Sequence, residues 1–220
     1  DPASHARLWR RMLSLIHAHT EGAVELRALP NVRGEGRPAY IYTRDMDDVE
    51  AFVRTWNRPG YGVYFGVATR DPGSVPPGNR ESVREVPALW LDNDATDKDT
   101  LKAALLASAC PPSLIVDSGR GLHAYWLLNE PAEADDGLVV LLRSLAAVYS
   151  GDRAVCDLAR IMRLPGTTNS KRDPAVECRV VHESAVRYDL TDLTDWLSWQ
   201  RPLVGDPVDP FLAAAERLGV

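Results

Sequence analysis

"VPALWLDNDATDKDTLKAALLASACPPSLIVDSGRGLHAYWLLNEP", residues 86–131, decides the fold. Its first seven residues, VPALWLD, are a short apolar run ending in acid, which reads as a buried strand. ATDKDTLKAALLASA follows as a helix capped by Thr96 or Asp97. Two more strands are expected at 113–117 and 122–128, around a tight glycine-containing turn. Strand, helix and hairpin in that order point to a sheet with helices laid against it. The first strand raises a chemical question, because Asp92 and Asp94 share a face if the strand continues. Like charges that close repel. Either something positive lies between them, or one stays protonated, or the strand has ended and both are solvated.

Outward from this stretch the pattern continues. ASHARLWRRMLSLIHAHT has Leu8, Met12, Leu15 and Ile16 at helical spacing, with Gly22 as a stop. GYGVYFGVAT (60–69) reads as a strand, and RDPGSVPPGNRES after it as a mobile or functional loop rich in Pro and Gly. Downstream, EADDGLVVLLRSLAAVYS is an amphipathic helix and VECRVVH a strand. TDLTDWLSW is a helix capped by Thr191 or Asp192, and a last helix is expected near 209–218. There is no internal repeat and no low-complexity segment. The class is α/β or α+β, with a mixed sheet flanked by helices.

At 220 residues the chain has room for one substantial core. No run approaches the roughly 18 apolar residues of a membrane span, and the first residues lack the apolar core of a signal peptide. The start at Asp1, without a methionine, implies a piece of a longer natural chain. Cys110, Cys156 and Cys178 are odd in number and scattered, which fits a reducing compartment, the cytoplasm, and offers no zinc site. A net charge of −6 argues against a surface coated for duplex DNA but leaves room for a local basic groove.

Three stretches carry chemistry. Asp92 and Asp94 present hard oxygen ligands suited to a divalent cation, or they open a turn and cap the next helix. In DSGRGLHAYW, the residues Ser118, Gly119, Arg120, Gly121 and His123 sit between two strands. Glycines there allow close approach to a phosphate, with a hydroxyl, a guanidinium and an imidazole as partners; the alternative is an ordinary hairpin turn. In GDRAVCDLARIMRLPGTTNSKR, Asp152 adds a carboxylate, and Arg160, Arg163, Lys171 and Arg172 add cations. Arg160 and Arg163 bracket Ile161 and Met162, so this is no wholly exposed basic tail. Asp117 falls on the opposite face from Ser118 and reads as structural. His17, His19 and His182 read as ordinary histidines, and the six tryptophans as core, unless an exposed one stacks on a template base.

In this order the three stretches resemble the three motifs of the archaeo-eukaryotic primase (AEP) superfamily: a DxD (Asp92, Asp94), an SxH-like element (Ser118, His123), and an acid (Asp152) ahead of RLPGTTNSK. RLPGTTNSK and YFGVATR look closest to the plasmid and phage primase-polymerase branch, that of RepB-like primases. The resemblance spans roughly residues 60–172. It implies an α+β AEP core with an RRM-like mixed sheet, formed by a single domain over 1–220. Within it an N-terminal α/β part of about 1–85 would pack on a catalytic part of about 86–200.

The resemblance also implies a DNA primase/DNA polymerase, a nucleotidyltransferase that starts or extends primers on single-stranded DNA from NTPs or dNTPs in plasmid, phage or mobile-element replication. Asp92, Asp94 and Asp152 would hold two Mg²⁺ or Mn²⁺, which would be the positive charge missing from the acidic pair. Asp157 is the alternative third ligand; Asp152 is preferred for its distance to the Leu-Pro turn, which leaves Asp157 to pair with Arg160 or Arg153. Ser118, Gly119, Arg120, Gly121, His123, Arg160, Arg163, Asn169 and Lys171 would hold the nucleotide, with His123 donating to a phosphate. A helicase or accessory domain would accompany the full chain. The alternatives are a two-metal nuclease or phosphodiesterase using the same carboxylates, and a non-catalytic nucleic-acid-binding module. Convergence of Arg120, Arg163 and Lys171 with the carboxylates on one cleft discriminates the first alternative from the transferase.

Overall fold

The computed structural model describes residues 2–200, so the helix expected near 209–218 lies outside the described residues. Strand β4 (Val86–Asn93), helix α3 (Lys98–Leu106), strand β5 (Leu114–Asp117) and strand β6 (Leu122–Ala132) form where the sequence places them. Asp97, not Thr96, caps α3, accepting a hydrogen bond from Thr100 N at 3.0 Å. β4 and β5 run antiparallel to β6 on either side of it, and β10 (Arg179–Glu183) closes the sheet as β10-β5-β6-β4.

The other four-stranded sheet is β2-β1-β3-β7, built from β1 (Val24–Pro30), β2 (Ala39–Thr43), β3 (Tyr61–Gly66) and β7 (Ile161–Arg163). The α+β class holds, but among the described residues every ladder between these strands is antiparallel where a mixed sheet is expected, and the parallel pairing is one isolated bridge, Leu128 with Tyr188. The run at 176–182 is divided between β9 (Val176–Glu177), which pairs with β8 (Thr168–Asn169), and β10.

Alternation explains how β6 is buried on both faces. Trp126 packs on Tyr149 and Trp196, which belong to the layer of α4 (Asp136–Val148) and α5 (Leu190–Trp199), while Tyr125 meets Phe65 of the other sheet. Asp189 occupies the N-cap position of α5 without a side-chain hydrogen bond, so neither Thr191 nor Asp192 is its cap. Residues 24–56, which carry no assignment above, hold β1, β2 and α2 (Met46–Trp56); α1 is Pro2–Ile16. Among the described residues no helix is long and apolar enough to cross a membrane.

A buried ion pair ties the segment after β3 to β1. Glu25 and Arg70 are both fully buried and meet at 2.8 Å, with Arg27 on the same carboxylate at 2.7 Å. Burial opposes ionisation of Glu25, but the two guanidiniums and the Gly78 N–H outweigh it and hold its pKa below the usual value. Gly78 N donates to Glu25 at 2.9 Å, so the Pro- and Gly-rich loop after β3 is tied to β1. Arg70 also donates to Ala159 O at 3.0 Å, close to the start of β7.

Candidate active site

β4 ends in Asp92-Asn93-Asp94, and the middle residue makes the turn. Asn93 accepts from the Ala95 and Thr96 N–H groups at 2.9 and 2.8 Å and donates to Tyr149 O at 2.6 Å. With Asn93 turning the chain and Asp97 capping α3, neither Asp92 nor Asp94 is consumed as a turn or cap. Two glycines permit the crowding around them. A Cβ on Gly121 would lie 2.1 Å from Asn93 O and 2.4 Å from Asp94 Oδ1, so glycine lets the β5–β6 turn press against the acidic strand end. A Cβ on Gly151 would meet Leu91 at 2.4 Å, and beside it Asp152 N donates to Asp92 O at 2.8 Å.

His123 stands opposite Asp92 in the β4–β6 ladder, with Nε2 3.6 Å from Asp92 Oδ1. Burial raises the Asp92 pKa to about 6, and the Asp152 charge adds to the rise. Asp94 is raised too, first by burial and then by Asp92. Burial lowers His123 to about 4, so the imidazole is neutral near pH 7. Asp92 Oδ1 is buried and has no hydrogen-bond partner. An orphaned oxygen on one of two neighbouring carboxylates that resist ionisation fits a divalent cation, because a cation would satisfy the oxygen and favour both charges.

The cleft in front of these acids has a volume of about 400 Å³, and Tyr64, Arg120, Arg163, Asn169, Lys171 and Arg172 line it together with Asp92, Asp94, Ser118 and His123. Arg163 is buried with its Cζ 4.8 Å from the Tyr64 ring centroid, and its Nη2 donates to Tyr64 Oη at 2.9 Å. Arg163 Nη1 is buried without a hydrogen-bond partner. Arg120 is exposed and reaches Asp94 at 3.3 Å. The cleft thus has an acidic wall and a cationic wall, each with a buried polar atom left unsatisfied, an arrangement that suits a metal–phosphate group.

Residues 71–192 match the RepB DNA-primase N-terminal domain family, more than half of the chain. The chain belongs to this family. A replication protein of Clostridium perfringens is 28% identical over 126 residues, which are 51% of this chain and 30% of that protein. The AEP domain of the cyanophage S-2L primase-polymerase superposes with a TM-score of 0.70 at 19% identity, covering 87% of this chain and 97% of the other. The catalytic domain of primase RepB′ in complex with initiator DNA gives a TM-score of 0.65 at 15% identity, covering 97% of each chain. At those identities the structural likeness speaks to the fold, which is that of an AEP-type plasmid or phage primase.

Within this RepB-type primase domain several expected site residues have other partners. Ser118 Oγ donates to Gly121 O at 3.1 Å and accepts from Gly121 N at 3.2 Å, closing the turn although it lines the cleft. Gly119, at φ +90°, donates its N–H to Asp117 Oδ1 at 2.8 Å, and Lys98 holds the same oxygen at 2.6 Å, which makes Asp117 structural. Asn169 Nδ2 donates to Ser118 O at 2.9 Å, locking the β8 turn to the β5–β6 turn.

Arg160 does not line the cleft. It pairs with Asp157 at 2.6 Å and donates to Ala154 O, because three positions along an extended run put it on the opposite face from Arg163. Asp152 Oδ1 accepts from Ala154 N at 2.8 Å, capping a short 3-10 turn. Among the described residues no three His, Cys, Asp or Glu side chains gather closely enough to hold an ion, so Asp92 and Asp94 stand as a pair with Asp152 nearby. Tyr64, unassigned from the sequence, and Arg172, read there as a cation but not among the nucleotide-holding residues, also belong to the cleft. Arg172 adjoins Lys171, but nothing local to Tyr64 marks it, since it meets Arg163 only through the β3–β7 ladder.

Proposed function

We propose that this RepB-type primase domain is a metal-dependent, template-directed nucleotidyltransferase that starts or extends primers on single-stranded DNA. One observation carries the reading: Arg120, Arg163 and Lys171 converge with Asp92 and Asp94 on a single cleft. Three cations facing the acids match the charge of a triphosphate better than the single phosphodiester a nuclease would hold there. Primase RepB′ has been captured with initiator DNA, which supports DNA as the partner of this chain as well. The chain spans 30% of the length of its replication-protein relative, so helicase or accessory functions would belong to other parts of a longer protein.

Asp92 and Asp94 would hold divalent cations, Mg²⁺ or Mn²⁺, with Asp152 completing the set. When bound, such ions lower the pKa of an attacking 3′-hydroxyl and neutralise a leaving pyrophosphate. The protein's own groups then position the substrate. Arg163 Nη1, held in place by Tyr64 and left without a partner, donates to a triphosphate oxygen. Lys171 and Arg120 add charge at the rim, and His123, neutral, donates a single N–H to a phosphate rather than taking a proton. Asp94, ion-paired with Arg120 at 3.3 Å, would hold the cation in place of that partner.

The deciding experiment incubates the protein with a single-stranded template, labelled nucleotides and Mn²⁺, with and without a primer. Template-dependent incorporation is expected from the wild type, and its abolition in Asp92→Ala and Asp94→Ala. More than a few per cent residual activity in either variant at saturating metal would falsify the two-metal reading.

A further inference from the structure

Several cations of this acidic chain have carboxylate partners: Arg10 with Glu50, Arg11 with Glu183, Arg80 with Asp136 and Arg84 with Glu21. On one face unpaired cations cluster. Segments 31–38, 56–61 and 168–172 contain Arg33, Arg37, Arg58, Lys171 and Arg172 against a single acid, Glu35, in a chain of net charge −6. All five cations are exposed. Among the described residues no ion pair involves Arg33, Arg37 or Arg58.

Hydrogen bonds weld these three segments into one surface. Asn31 N donates to Gly60 O at 2.8 Å, and Asn31 Nδ2 donates to Ser170 Oγ at 2.7 Å. Ser170 Oγ donates in turn to Tyr61 O at 3.2 Å, and Thr168 N donates to Asn57 Oδ1 at 2.8 Å. Tyr61 Oη donates to Arg37 O at 3.3 Å, bringing the 31–38 loop onto the same patch. At its centre Arg58 caps a pair of touching aromatics, its Cζ 4.8 Å from the Trp56 ring and 4.9 Å from the Tyr61 ring, whose centroids lie 4.9 Å apart. The surface runs without a break into the cleft, because Lys171 and Arg172 belong to both.

We propose that this face is the track that delivers the single-stranded template to the cleft, with phosphates on Arg33, Arg37 and Arg58 and bases against the Arg58–Trp56–Tyr61 stack. The proposal rests on the nucleotidyltransferase reading and adds to it where the strand lies. Unpaired arginines beside aromatic rings are what a flexible single strand requires, because every base has a face to stack and every nucleotide a phosphate to pair. A duplex, stiffer and more densely charged, would bring its phosphates against the acidic remainder of the surface.

The test compares the wild type with the triple variant Arg33→Ala, Arg37→Ala and Arg58→Ala, and with Arg33→Glu/Arg37→Glu, whose two sites are exposed loop positions. Affinity for a fluorescent oligo-dT is measured by anisotropy across a salt series, beside triphosphate binding and incorporation at saturating template. The triple variant should lose about tenfold or more in affinity at moderate salt, and its slope of log K against log salt should flatten by about 2, at roughly 0.7 per lost phosphate contact. Triphosphate binding, and incorporation once template saturates, should match the wild type.

Wild-type affinity and slope in both variants would overturn the track and leave the transferase reading standing. Absence of incorporation by the wild type, with the affinity losses intact, would overturn the transferase reading and keep the face as a DNA site. Poly-glutamate binding as tight as oligo-dT and lost in the same variants would make the face a dock for acidic protein and sink the proposal.

Discussion

Asp92→Asn removes one of two carboxylates crowded at the mouth of β4, and with metal chelated the variant should melt above the wild type. Asp92 is held near pKa 6 against an ordinary value of 3.8, by burial and by the charge of Asp152. At about 1.4 kcal/mol per pH unit that difference corresponds to about 3 kcal/mol of destabilisation at neutral pH. The asparagine amide occupies the same half-dry position at a cost of about 1 kcal/mol or more, leaving a net gain of about 1–2 kcal/mol. For a domain of this size that is a rise in Tm on the order of 4 °C.

The sign follows from proton binding. With its folded pKa above the unfolded one, Asp92 binds more protons in the folded state between 3.8 and about 6, so the wild type gains stability as pH falls through that window. The gap should therefore be widest at pH 7.5 and nearly closed by pH 4.5. His123, lowered to about 4, works in the opposite direction, losing stability below the ordinary 6.5, and burial, the first cause of that shift, is common to both proteins. Saturating Mn²⁺ should reverse the order, since only the wild type keeps both ligands. Scanning calorimetry in chelator at pH 7.5, 6 and 4.5, then with Mn²⁺, reads all of this. A variant that melts at or below the wild type in chelator at pH 7.5, or a gap indifferent to pH, would refute the account of two strained carboxylates.

Asp152→Asn should lower Mn²⁺ affinity and lose most of the incorporation rate, whereas Asp157→Asn, which removes only the partner of Arg160 at 2.6 Å, should keep measurable activity; Mn²⁺ titrations of both rates decide, and the reverse ranking would move the third ligand to Asp157. Arg163→Ala and His123→Ala should weaken nucleoside triphosphate binding and slow incorporation while leaving oligo-dT affinity near the wild-type value, and loss of DNA affinity alone would reassign both to the template. Gly121→Ala should cost about 1–3 kcal/mol in denaturant unfolding, or more, because its Cβ would sit 2.1 Å from Asn93 O; wild-type stability would mean the turn is free to move away from the acidic strand.

The 86–131 stretch shows how much local sequence determined. Its apolar runs, its Asp cap and its glycine turn give β4, α3, β5 and β6, because continuous apolar strands and capped amphipathic helices have few other ways to leave water. The same stretch carries Asp92, Asp94 and His123, which the fold brings to one cleft. Elsewhere the local signal was present but broken or unread. α2 carries Val49, Phe52, Val53 and Trp56 at helical spacing behind the Asp45 cap and was legible. β1 was not, since VELRALP buries a glutamate whose partner Arg70 lies 45 residues away, and a buried ion pair breaks the apolar pattern that marks a strand.

The division of labour inside the site was beyond the sequence for the same reason. Arg160 and Arg163 look equivalent in the chain, yet the β3–β7 ladder sets Arg163 beside Tyr64 and leaves Arg160 to Asp157. Asp92, Asn93 and Asp94 look like one motif, yet the carbonyls of Tyr149 and Ser150 claim Asn93 and free the other two. Sequence determined which side chains each strand carries and on which face, because strand geometry is local. Which faces meet was decided only when ladders between residues 64, 92, 123 and 163 closed, because pairing across such distances is selected by burial of the whole core.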